Sequence, residues 1–213
     1  MAIQNNSGPN KLGFLFGAIM ASTQTMADTQ PSPDITATID YMRQHNVTSF
    51  VVMDKKMGHL LLIKDNKIHL RFNALSGAVA GDVSDKGMTP AGIFPMKFVD
   101  NVPTYQSAIV FNYKPKTETY TAIHTVLDIK GENRLKRLQT PTGSDNKISH
   151  DGCINVQTND FETIYAFTTQ STKSIRTDGS YYHRAPNGFL VVLPEQTDIK
   201  TFFNLADKAP ASP

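Results

Sequence analysis

The chain has 213 residues, 39% hydrophobic and 19% charged, with a formal net charge of +2. That composition suits an ordinary globular domain and excludes a disordered, collagenous or strongly basic nucleic-acid-binding chain. The densest basic cluster, Arg134, Lys136 and Arg137, is expected to be a solvated helix face first and a contact for an acidic partner second. The single cysteine, Cys153, excludes a disulfide framework.

At the N-terminus, Lys11 precedes an apolar run from Leu12 to Ala21 that is too short to span a bilayer. Thr25-Met26-Ala27 then places small residues at the two positions a signal peptidase reads. An export signal over residues 1–27 is expected; an uncleaved anchor or a frayed helix is the alternative. A tail and short helix over 28–48, one domain over 49–205 and a tail over 206–213 complete the expected organisation. In an oxidising compartment a lone thiol is a liability unless it is buried or used.

Ser32-Pro33-Asp34 reads as a helix cap, a first-turn proline and an acid favoured by the helix dipole. Ile35, Ile39 and Met42 follow at helical spacing, and the helix is expected to end near His45-Asn46. Ser49 to Met53 and Leu60 to Ile63 are apolar strand runs. Lys67 to Phe72 alternates and puts Ile68, Leu70 and Phe72 on one face, after a two-residue turn at Asp65-Asn66. Further strands are expected near Ile93 to Val99, Ala108 to Asn112, Thr119 to Val126 and Phe189 to Leu193. Short helices are expected over Glu132 to Leu138, from a capping box at Asn159 and Glu162, and over Asp198 to Leu205. Many strands, few helices and no βαβ alternation define a predominantly β α+β domain.

Without a glycine-rich phosphate loop, a paired Cys-x-x-Cys framework or a nucleotide fingerprint, catalysis would rest on side chains alone. In the strand from Thr119, alternation places Tyr120, Ala122, His124 and Val126 on one face. Cys153 follows a turn-rich run, Thr140 to Asn146, where a loop re-enters the sheet. A thiolate is the reactive form of cysteine, and an imidazole can take its proton and return it to a leaving amine. His124 is the preferred base. His150 is the rival, three residues before the cysteine, where extended side chains diverge. Gly152 lets backbone amides approach a substrate carbonyl as an oxyanion hole, or simply permits a turn. His124, His150, Asp151 and Cys153 also have donor types that bind zinc.

Ser149-His150-Asp151-Gly152-Cys153-Ile154-Asn155 resembles the signature of the L,D-transpeptidase (YkuD) family, Ser/Thr-His-Gly-Cys, a hydrophobic residue, then Asn or Arg. Thr89-Pro90-Ala91-Gly92-Ile93-Phe94 resembles that family's Thr-Pro-x-Gly-x-Phe segment, and Ile123-His124-Thr125 its upstream histidine segment. The resemblance implies a β-sandwich-like domain in the periplasm or cell envelope that needs no cofactor or metal. Its substrates would be peptidoglycan stem peptides, with another stem or a wall-linked protein lysine as acceptor. It implies Cys153 as nucleophile, His124 as base, amides around Gly152 and Cys153 as oxyanion hole, and Ser149 and Asn155 as site-shaping residues. Hydrolysis on the same scaffold, or a wall-binding protein without turnover, would share these motifs. Asp151 stands where the family has its motif histidine, one residue having been inserted. The longer spacing from His124 resembles a subgroup with the signature Ser-Tyr-Gly-Cys-Ile-Asn-Val and an arginine-bearing insertion, here Glu132 to Gln139. A carboxylate at Asp151 would oppose a thiolate unless it points away or orients a histidine.

Overall fold

The computed structural model describes residues 30–85, 87–102, 106–114, 119–139, 146–148, 152–169, 172–175 and 181–208. The expected signal lies outside them, as does the expected tail of 206–213 from residue 209 on; residues 206–208 belong to the last helix. Helix α1 spans Pro33–Gln44, with proline in its first turn and the Ser32 hydroxyl accepting the Ile35 N–H at 3.4 Å. Its Ile35, Ile39 and Met42 are buried, as their spacing predicts.

Strands β1 (Phe50–Asp54), β2 (His59–Lys64) and β3 (Lys67–Asn73) form an antiparallel unit. Asp65 and Asn66 turn the β2–β3 hairpin with φ of 51° and 62°, a pair of left-handed conformations that matches the twist of the flanking strands. One expectation is corrected here. The register pairs Leu62 with Leu70 but Ile63 with Ile68, so His69 is an extra residue in β3. This bulge sends Ile68 to one side of the sheet and Leu70 and Phe72 to the other, packed against different clusters.

The chain continues through β4 (Gly92–Val102), β5 (Gln106–Lys114), β6 (Thr119–Thr125), α2 (Arg134–Gln139), β7 (Ile154–Val156), α3 (Thr158–Thr168), β8 (Thr172–Ile175), β9 (Tyr181–Val192) and α4 (Ile199–Lys208). The residue at the cap of α3 is Gln157 rather than Asn159, and it makes no side-chain cap bond. The last strand is longer than its apolar run, and β8, which pairs with β9, was not expected from the pattern.

The strand order is β3-β2-β1-β9-β4-β5-β6-β7, and the two ends meet. Leu75, just past β3, exchanges both backbone hydrogen bonds with Asn155 of β7, each 2.9 Å. The mostly antiparallel sheet is thereby curled into a barrel-like, sandwich-like body whose inner core draws on Leu60 and Leu62 of β2, Ile123 of β6, and Ile154 and Val156 of β7. Phe161 and Ile164 of α3 join that core, whereas Ile35, Ile39 and Met42 of α1 cover the outer surface of β1, β2 and β9 with help from Ile199 and Phe202 of α4. The fold is thus predominantly β with a few short helices, and its closing seam passes through Asn155, two residues after the cysteine.

Candidate active site

Cys153 precedes β7 by one residue. β7 pairs in parallel with β6, with Ile123 opposite Ile154 and His124 opposite Asn155. Since side chains alternate across a strand, Ile123 and Ile154 enter the inner core, and His124 and Asn155 share the opposite face. The half-buried Cys153 lies on that same face, against an apolar floor of Ala108 and Val110 from β5 and Ala122 from β6, flanked by Val99 and Val102. Thiol and imidazole therefore stand on one face of adjacent strands, two positions apart in register. Such diagonal neighbours lie about 7–8 Å apart at the backbone, within reach of long and aromatic side chains.

The imidazole is held at both nitrogens. Nδ1 lies 2.7 Å from the Thr125 carbonyl oxygen, which can only accept, so Nδ1 carries the proton. Asn155 Nδ2 lies 3.2 Å from Nε2, so Nε2 is the acceptor of the neutral ring. His124 is buried, and its pKa is held below the ordinary 6.5 chiefly by desolvation, with the Arg134 charge adding to the depression and the Thr125 bond opposing it.

Arg134 corrects the reading of its cluster as a solvated face: it is 3% exposed. Gly131 at φ 90° and Asn133 at φ 48° form the turn that feeds it inward at the start of α2. Its Nε donates to Glu132 Oε2 at 2.6 Å and its Nη1 to Asn155 Oδ1 at 3.0 Å, while Nη2 is buried without an acceptor. Nothing in the linear pattern distinguished Arg134 from Lys136 and Arg137; the signal available was its place in the insertion before the motif.

On the other side, Gly152 is packed so tightly that an added Cβ would lie 2.0 Å from the Met88 carbonyl oxygen. The Thr89 hydroxyl donates to the Gly152 carbonyl at 2.8 Å and accepts the Gly77 N–H at 2.8 Å. Thr89 thus clasps the backbone next to the cysteine. Its own carbonyl is held by the buried Lys55 ammonium at 2.8 Å, which also bonds the Gly81 carbonyl and pairs with Asp82 at 3.3 Å and Glu195 at 3.7 Å. Asp82 accepts backbone N–H groups from Glu195, Gln196 and Thr197. Burial pushes the Asp82 carboxyl up, but these three bonds and Lys55 outweigh it and leave its pKa lowered. Sequence reading passed over Lys55 because a lysine among strand residues looks like any solvated charge.

Of the other expected site residues, Tyr120 is on β6 and exposed, and Asn155 is fully buried between His124 and Arg134. Ser149, His150 and Asp151 lie outside the described residues, and with them the rival base and half of the zinc donor set. Among the described residues no three His, Cys, Asp or Glu side chains come together as a metal site.

A curled β domain that sets a buried, neutral histidine and a half-buried cysteine on one face belongs to the class of cysteine–histidine β domains. Residues 48–175, more than half of the chain, match the L,D-transpeptidase catalytic domain family (YkuD), and the chain belongs to that family. It is similar to the solved L,D-transpeptidase from Xylanimonas cellulosilytica, at 14% identity and a TM-score of 0.37, covering 68% of this chain and 60% of that one. It is also similar to a cysteine-to-serine mutant of the Enterococcus faecium L,D-transpeptidase, at 16% identity and a TM-score of 0.38, covering 68% of this chain and 50% of that one. The chain thus spans 50–60% of the length of these two solved chains. No curated protein matches it.

Proposed function

We propose that the protein is a peptidoglycan L,D-transpeptidase that works through a Cys153 thioester at the cell envelope, reached by the expected export signal. The observation that carries this reading is the placement of Cys153 and His124 on one face of the β6–β7 pair, with the His124 proton tied to Thr125 and Nε2 left as the basic nitrogen. As the sulfur attacks the carbonyl carbon of the L,D bond between the third stem residue and the terminal D-alanine, its proton passes to Nε2. The resulting oxyanion is met by backbone N–H groups around Gly152 and Cys153. Collapse breaks the C–N bond, the Nε2 proton leaves with the amine of D-alanine, and an acyl thioester remains. An acceptor amine, from a neighbouring stem or a protein lysine, then attacks the thioester, gives its proton to His124, and releases the thiol as the sulfur takes that proton back. Tyr120, exposed on the same strand, is assigned to the edge of the site.

The test is product analysis with purified disaccharide-tetrapeptide fragments. Cross-linked dimers together with free D-alanine are expected. Shortened monomers alone would assign hydrolysis instead, and no consumption of tetrapeptide would leave a binding protein without turnover. His150→Ala tests the rival base: retained turnover supports His124, and loss with His150→Ala but not with His124→Ala overturns that assignment.

A further inference from the structure

Arg134 has no place in the reaction just described, yet it is buried beside it. We infer that Arg134 is a positioning residue that acts through the Asn155 amide to keep His124 a neutral base with its free electron pair on Nε2. A guanidinium has only donors, so the atom of Asn155 that meets Arg134 Nη1 at 3.0 Å must be the carbonyl oxygen. The amide is thereby prevented from flipping, and its NH2 must face His124, where it lies 3.2 Å from Nε2. A donor directed at Nε2 is compatible with an unprotonated nitrogen and clashes with an N–H. The Thr125 carbonyl requires the same tautomer from the other side of the ring, at 2.7 Å. Two independent contacts thus select one tautomer of the neutral ring, and of the two it is the Asn155 contact that opposes a proton on Nε2.

The consequence for the reaction is specific, and this step rests on the reading of His124 as the base. The 3.2 Å contact is long for a hydrogen bond, so it yields to the thiol proton. Once Nε2 is protonated, however, it faces an amide donor that Arg134 holds in place, and no acceptor is offered by rotation of Asn155. The imidazolium is therefore short-lived, and its proton is pressed on to the leaving amine. The guanidinium is itself fixed by the Glu132 carboxylate at 2.6 Å. Among the described residues, the charged or titratable groups on the elements around the ring include this Arg134–Glu132 pair, Cys153 ahead of β7, and Tyr120 on β6. β5 presents Ala108 and Val110 to this face.

The test is a double-mutant cycle of Arg134→Met and Asn155→Ala, read by nitrogen NMR of the His124 ring in the full chain, with the signal assigned by its loss in His124→Gln. This readout does not depend on turnover, so it stands or falls separately from the proposed reaction. Expected are a ring protonated on Nδ1 at neutral pH and a midpoint raised by each single change. The double variant should fall clearly short of the sum of the two single shifts, because only the direct effect of the Arg134 charge adds to the part that runs through Asn155. The acid limb of kcat/KM for tetrapeptide should move up by the same shift, with about a tenfold loss at neutral pH from a misplaced base. Fully additive shifts would show the Arg134 charge acting through space alone, and either these or an unmoved midpoint in Asn155→Ala overturns the inference. If a truncation fails to fold, Arg134→Lys replaces it, keeping the charge without the fork that spans Glu132 and Asn155. A raised midpoint then supports the relay and an unchanged one overturns it.

Discussion

The two sides of Cys153 are held by different chemistry. On the Gly152 side a buried ammonium, Lys55, gathers two backbone carbonyls and two carboxylates, and through Thr89 locks the main chain beside the sulfur. On the His124 side the final contact is a neutral amide, Asn155, backed by Arg134 one step further away. Charge is used where only position must be fixed. Where a proton must come and go, the charge is kept at one remove and a neutral group touches the ring. Breaking the first side should cost stability, and breaking the second should move a pH profile in a protein that still folds.

The largest effect expected is at the sulfur between the two sides. Cys153→Ala should abolish acylation by a carbapenem while leaving the melting temperature near that of the wild type, measured by intact mass and calorimetry. Next is Lys55→Met, which strands the Asp82 carboxylate without its buried cation. Removing one partner of a buried charged pair costs about 3–5 kcal/mol, to be read by urea unfolding. Thr89→Val should cost about 1–3 kcal/mol, because it leaves the buried Gly77 N–H unpaired. It should also slow acylation, because the Gly152 carbonyl loses its tether. The smallest is Tyr165→Phe on α3, which removes a hydroxyl 3.2 Å from Asp100. A loss of about 0.5–1.5 kcal/mol is expected there, with acylation unchanged.

The pH dependence sharpens the same contrast. His124 has its pKa below 6.5 in the fold, by burial first and the Arg134 charge second. The neutral base therefore persists below 6.5, and the acid limb of kcat/KM should lie under that value. The sign for stability follows from linkage: below 6.5 the unfolded chain binds a proton that the folded one resists, so stability falls as the pH drops from 6.5 toward the lowered folded value. His124→Gln should flatten that part of the stability profile.

Much of this was legible in the sequence wherever a local rule decided. Ser32-Pro33-Asp34 capped a helix as read, Asp65-Asn66 made the hairpin turn, and alternation from Tyr120 to Val126 put His124 and Ala122 on the face that also carries Cys153. What escaped was decided by distant partners. The bulge at His69 is invisible in a strictly alternating run, because only pairing with β2 reveals the extra residue. Arg134 and Lys55 are strongly polar residues whose burial draws on acceptors distant in sequence, Asn155 at 21 positions and Thr89 at 34. Asn155 was read as shaping the site; that it joins His124 to Arg134 follows only from the parallel pairing of β7 with β6.

The central claim, that Cys153 carries the acyl group and His124 draws its proton, is tested most directly by intact mass and peptide mapping after brief exposure to a stem tetrapeptide donor. The account predicts a mass increase equal to the acyl tripeptide, mapped to Cys153, absent in Cys153→Ala and accumulating far more slowly in His124→Ala. An adduct on any other residue, or D-alanine release that persists in Cys153→Ala, would contradict it.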